Sequence, residues 1–144
     1  EVVITYDANG LYGHPDHIQA HRATFAAADQ TGIPQKIYEV ALPRSLMKAF
    51  AEMQRQVGAA PAQGDPGDSF GTPDELITTT VDVSSEWEPK RAAAFAHTSQ
   101  LANFDFLKMD PELLRVSMAH EHFVRAFDRT GAPLPETDLF AGVA

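Results

Sequence analysis

Two histidines, an aspartate, a tyrosine and two glycines stand within eight residues, Gly10-Leu11-Tyr12-Gly13-His14-Pro15-Asp16-His17. Imidazole nitrogen and carboxylate oxygen are ligands that zinc prefers, and a catalytic zinc keeps one position open for water. His14 and His17 are three residues apart, and His17 and His21 are four apart. On a helix beginning near Pro15, His17 and His21 project from one face, a spacing able to chelate a divalent ion. Water bound to such an ion loses a proton near neutral pH and attacks a carbonyl. Asp16 can orient a ligand imidazole through its second nitrogen. His14 can polarise the carbonyl oxygen or donate a proton. The same spacing also describes a solvated helix start, and His21 on its own reads as an exposed or satisfied helix residue.

Placement favours the metal. The apolar run Val2-Val3-Ile4-Thr5-Tyr6 reads as a strand buried on both faces, and Asp7-Ala8-Asn9-Gly10 signals a turn. The cluster therefore falls at the carboxyl end of a strand, where open α/β sheets hold their ligands. Pro15 suits a first helical turn, and apolar or small residues from Ile18 to Ala28 carry the helix to about Thr31, with Gly32 as its stop. Gln35–Leu42 predicts a second strand, and Ser45 can cap an amphipathic helix carrying Leu46, Phe50 and Met53. Residues 57–74, rich in Gly, Pro, Ala and Asp, predict a flexible surface loop. Beyond it, Glu75–Val83 predicts a strand, and Ser84 or Ser85 caps a helix running to about Gln100. Residues 111–118 predict a helix and His122–Phe127 a strand. The whole reads as one α/β domain with no internal repeat.

Composition bounds the partners. The 144 residues carry 11 Lys and Arg against 20 Asp and Glu, a net charge of −9. Nucleic acid and anionic lipid both demand the basic surface this chain lacks. No apolar run approaches the roughly 20 residues that span a bilayer. Without cysteine, disulfides and thiolate metal sites are excluded, which accords with a cytoplasmic location. His97 is read as capping a helix end, His120 and His122 as a surface strand, and Trp87 and Phe95 as core. Asp65 and Asp68 are read as solvated loop residues. The tail around Glu136 and Asp138 is read as packing through Leu139 and Phe140 rather than closing on a substrate.

The run Tyr6-Asp7-x-Asn9-Gly10-x-Tyr12-Gly13-His14-Pro15-Asp16-His17 resembles the LmbE-like, or PIG-L, zinc deacetylases. The likeness continues through Val81-Asp82-Val83, Lys90-Arg91-Ala92-Ala93, Ala96 to Gln100 and Glu136 to Gly142. It implies a Rossmann-like α/β fold and one zinc held by two histidines and an aspartate. It further implies removal of acetyl from a small N-acetylglucosamine-type substrate such as the GlcNAc-inositol of the mycothiol pathway. Alternatives in the same frame are a mycothiol S-conjugate amidase and a non-catalytic metal- or sugar-binding relative. By matching positions His17 becomes the metal ligand, His14 assists the tetrahedral intermediate, Asp16 tunes it, and Tyr12 is a mobile residue reaching the substrate. The family's other two ligands and its general base sit in an amino-terminal Ala-His-Pro-Asp-Asp-type segment, which residues 1–144 lack. The expectation is thus a carboxy-terminal portion whose partner segment is supplied from elsewhere, as part of a longer chain or as a separate one, with homo-oligomerisation left open. Leu11 departs from the glycine common in the mycothiol enzymes.

Overall fold

The computed structural model describes residues 1–56, 70–99, 101 and 110–144. It is a mixed α/β structure whose four strands are β1 (Val2–Thr5), β2 (Lys36–Ala41), β3 (Thr79–Asp82) and β4 (His120–Asp128), in the order β1-β2-β4-β3. Five helices are described: α1 (Gly10–Gly13), α2 (Pro15–Thr31), α3 (Arg44–Gln56), α4 (Trp87–Ala96) and α5 (Pro111–Ser117). The architecture agrees with the expected Rossmann-like class. No helix among the described residues is long and apolar enough to cross a membrane. Contacts divide the chain into two compact units, residues 1–80 with 122–144, and residues 81–121.

In the first unit β1 and β2 pair in parallel, from Val2 opposite Lys36 to Thr5 opposite Glu39. Parallel neighbours need a crossover, and α2 provides it. Pro15 stands in its first turn with acidic Asp16, as the helix dipole favours, and Gly32 closes it at φ 61°. Central β2 also pairs antiparallel with β4. Its Lys36, Ile37, Tyr38 and Ala41 are buried, forming the core with Phe123 and Ala51.

That core encloses a polar cluster that alternation alone does not reveal. Lys36, wholly buried, places Nζ 2.5 Å from Glu136 Oε1. Arg125 donates to the same oxygen at 2.9 Å, and Tyr38 and Thr79 donate to Oε2 at 2.8 and 3.2 Å. A bulge in the β2–β4 ladder sets Arg125 opposite Tyr38 after Phe127 opposite Ile37, which brings the guanidinium to the carboxylate. The backbone repeats the link, with Glu136 N–H donating to Thr78 and Thr80 N–H to Glu136. Glu136 therefore anchors the tail. Phe140, expected to pack it, is 58% exposed, because a carboxylate with four donors holds the segment without a ring.

Burial acts to raise the Glu136 pKa, but the Lys36 and Tyr38 hydrogen bonds and the Arg125 charge hold it below the usual glutamate range. Burial, then the Glu136 acceptor, pushes the Tyr38 phenol well above the usual tyrosine range. A hydrogen bond from Thr130 likewise lowers Asp128. A carboxyl with a lower pKa folded than unfolded stabilises above its unfolded value, and that stability is lost as pH falls through the folded one. Glu39, raised first by burial, acts oppositely: its contribution is lost as pH rises through its folded value. The urea midpoint should thus hold at neutrality and fall below about pH 4. Glu136→Gln should flatten that fall when midpoints are compared from pH 3 to pH 7.

Two capping expectations are corrected. Helix α3 begins at Arg44, and its start is capped from afar, because the Asp74 carboxylate accepts from both the Ser45 N–H, at 3.1 Å, and the Ser45 hydroxyl. An ionised acceptor serves the helix start better than a serine hydroxyl. The expected strand 75–83 is shortened to β3 because Asp74–Leu76 winds into a 3-10 turn. Most of the expected loop 57–74, with Asp65 and Asp68, lies outside the described residues, whereas Thr72 bridges Pro43.

In the second unit Ser84–Glu86 forms a 3-10 turn and α4 starts at Trp87 without a side-chain cap, so neither Ser84 nor Ser85 caps it. His97 occupies the C-cap position of α4. Helix α5 is capped by Asp110, which accepts from the Glu112 and Leu113 N–H groups. Lys90 bonds the Met118 carbonyl at 3.0 Å and Glu121 at 2.9 Å, and Leu114 is buried. Phe95, expected in the core, is 37% exposed, with the Arg91 guanidinium 5.1 Å from its centroid.

Candidate metal-ligating histidine site

The site is built where β1 ends. Asp7 turns the chain, its carboxylate accepting from Asn9 and Leu11 N–H at 3.1 and 2.8 Å. This turn carries backbone conformations that side chains rarely adopt, with Gly10 at φ 67° and Leu11 at φ 66°, ψ −62°. The Leu11 geometry is that of a strained γ-turn. Glycine adopts this conformation without the clash a Cβ brings. The strain serves a purpose, because Gly10 is buried and its carbonyl faces α2.

His17 Nδ1 lies 3.2 Å from the Gly10 carbonyl oxygen. A carbonyl can only accept, so Nδ1 carries a proton, and in the neutral ring Nε2 holds the lone pair. His14 is wired the other way. As the N-cap of α2 its Nδ1 accepts from the Asp16 backbone N–H at 3.2 Å, so the neutral ring holds its proton on Nε2. Two imidazoles with centroids 4.7 Å apart thus present opposite groups, one a lone pair and the other an N–H donor. Tyr6 lies flat on His17, centroids 3.7 Å apart and planes within 2°, and Tyr12 meets that ring edge-on at 5.1 Å. Tyr12 is half exposed and also stands 6.0 Å from His14.

The four residues singled out by type, Tyr12, His14, Asp16 and His17, therefore come together. Asp16 meets His14 through its backbone rather than its carboxylate. His17 alone does not make a metal site, and among the described residues no group of three or more His, Cys, Asp or Glu side chains is arranged to hold an ion.

No family model matches the chain. A 1D-myo-inositol 2-acetamido-2-deoxy-α-D-glucopyranoside deacetylase of Thermobifida fusca is 41% identical over 98% of this chain and 54% of its own length. Enzymes of the same name from Acidothermus cellulolyticus and Catenulispora acidiphila are 41% and 35% identical over 99% of this chain, and 52% and 50% of theirs. The chain is homologous to these deacetylases along nearly its whole length. It spans about half the length of the curated relatives it matches.

Three further residues lie around His17, of which only His21 stands out by residue type. Tyr6 supplies the stacked ring. His21, the second member of the i, i+4 pair, is a satisfied helix residue: its Nδ1 lies 2.9 Å from the Tyr6 carbonyl and 3.3 Å from Glu39 Oε1. Glu39 comes from β2, and nothing in the local sequence signals its arrival. His122 lies on β4, its Nδ1 3.1 Å from Thr80 Oγ1. His97 and His120 belong to the other unit.

Within this turn Gly10 tolerates little change. A Cβ there would lie 2.8 Å from Ile18 Cγ1 at a φ of 67°. Gly10→Ala is expected to lower stability by about 1–3 kcal/mol and to move the carbonyl that holds His17. Urea unfolding reads the first effect, and histidine ring nitrogen shifts in NMR read the second.

Proposed function

We propose that the protein containing this chain hydrolyses the acetamide of a small N-acetylglucosamine-type sugar, with His17 one of the ligands of a zinc ion. The single observation that carries the proposal is the His17 bond to the Gly10 carbonyl, which in the neutral ring puts the lone pair on Nε2, aimed away from the backbone partner. The printed activity of the relatives supports the substrate class. A divalent zinc held there would acidify a water and polarise the amide carbonyl.

The chain's own residues do the rest. Amide hydrolysis adds water across the C–N bond, the oxygen going to the acetyl carbon and a proton to the departing amine. His14 Nε2–H stands beside His17 with its proton fixed outward by the Asp16 N–H, so it donates a hydrogen bond to the developing oxyanion, while the proton that reaches the amine is the one the general base takes from the water. Asp16 holds that donor in place through its backbone. Tyr12, exposed at the rim of both rings, contacts the sugar or the oxyanion.

The two further zinc ligands and the general base come, in this reading, from a segment outside residues 1–144, in the same chain or another. The roughly twofold length of the relatives supports this. So does β1, a sheet edge among the described residues whose Ile4 is 49% exposed, which suits a further strand. Together residues 1–144 and that segment would form one domain, working in the cytoplasm. Acetate release from N-acetylglucosaminyl-inositol by the full chain tests the function. Release that disappears with a chelator and returns with zinc supports it. Full zinc occupancy without acetate would turn the reading towards a binding protein, and release from a mycothiol conjugate alone would turn it towards the amidase.

A further inference from the structure

We propose that His21 and Glu39 are positioning residues for His17, acting through Tyr6. The proposal rests on the reading of His17 as the ligand and deepens it. Four contacts run in series. Glu39 Oε1 lies 3.3 Å from His21 Nδ1, and that nitrogen donates to the Tyr6 carbonyl at 2.9 Å. The Tyr6 ring then lies 3.7 Å from the His17 ring and parallel to it, and His17 Nδ1 donates to Gly10.

Each contact removes one freedom of the ligand imidazole. A flat stack stops the ring from tilting but lets it turn in its own plane. The bond to the Gly10 carbonyl stops that turning, so the two together fix the direction of the Nε2 lone pair. The stack is only as firm as residue 6, which follows the last residue of β1 and has no ladder partner of its own. His21 holds it from α2 by the carbonyl, and Glu39 on β2 holds the His21 proton on the nitrogen that makes this bond. Both side chains are 18% exposed, so water competes little for the contact. Three elements, the end of β1, helix α2 and strand β2, thereby converge on one ring. A helix residue whose only task was a surface ion pair would have no reason to bond the backbone beneath the ligand's stacking partner.

The test uses the full chain and two substitutions at one position. His21→Leu removes the donor, whereas His21→Asn places an amide N–H where Nδ1–H stood and keeps the bond to Tyr6. Long-range proton–nitrogen NMR of the metal-free protein, recorded with the ring neutral, reads which nitrogen of His17 carries the proton. Titration with Zn²⁺ alone reads affinity. We expect His17 to hold Nδ1–H in the unaltered protein and in His21→Asn, and to mix in the Nε2–H form in His21→Leu. Zinc affinity should fall about 10–100-fold in His21→Leu and stay within about threefold in His21→Asn. Glu39→Gln should give a smaller loss in the same direction. Unchanged tautomer and affinity in His21→Leu, even with a lowered melting temperature, would overturn the proposal, as would equal loss in the leucine and asparagine variants. The tautomer is read without metal or substrate, so a failure of acetate release counts against the deacetylase reading and leaves this comparison decisive.

Discussion

Replacing His17 by alanine is expected to lower zinc affinity by at least about 100-fold and to abolish acetate release with it. Replacing His14 by alanine is expected to leave zinc bound and to reduce kcat by about 10²–10³-fold. The contrast follows from how the two rings are wired. His17 Nδ1–H donates a hydrogen bond to Gly10 O, which directs the lone pair of the neutral ring, on Nε2, to a cation. His14 accepts from the Asp16 N–H and keeps a proton on Nε2, which suits an oxyanion and not a cation. Metal content by atomic emission and turnover on the full chain separate the roles. Equal zinc loss from both changes would cancel the division.

The second large effect concerns stability. Glu136→Gln is expected to destabilise by about 3–5 kcal/mol, because it leaves the Lys36 ammonium, which has no exposure, without a counter-charge. Arg125 loses its nearer carboxylate and keeps Asp128 at 3.5 Å. The buried cluster need not add net stability over an apolar core, but breaking it strands the buried Lys36 cation. Glu112→Gln makes a control: its pair with Arg115 is largely solvated, and its loss should cost less than about 1 kcal/mol. Urea unfolding at neutral pH measures both. A cost below about 1 kcal/mol for Glu136→Gln would show that the cluster does not anchor the tail.

The local parts of the fold were legible in the sequence. β1, α2 with Pro15 and Gly32, and β2 follow from β-branched runs, a first-turn proline and a stop glycine, all signals confined to a few neighbouring residues. What escaped was long-range. Lys36 and Glu136 are a hundred positions apart, and each taken alone reads as a surface residue. Asp74 caps α3 across twenty-nine positions, a task that proximity assigns to Ser45.

The site shows the same limit on a smaller scale. Tyr12, His14, Asp16 and His17 could be picked out because their types and spacing are chemical. Their tautomers could not, since these depend on which backbone group faces each Nδ1, a matter of the strained turn at Gly10 and Leu11. Tyr6 and Glu39 flank the cluster from separate strand ends, so only the parallel pairing of β1 with β2 brings them near His21.

The central claim is that the Nε2 atom of residue 17 binds a divalent cation. A crystal structure of the zinc-loaded full chain, with anomalous data collected above and below the zinc edge, tests it most directly. An anomalous peak about 2.0–2.1 Å from His17 Nε2, with Nδ1 still on the Gly10 carbonyl, is the predicted result. A fully occupied zinc that lies away from His17, or one bound through Nδ1, would contradict it.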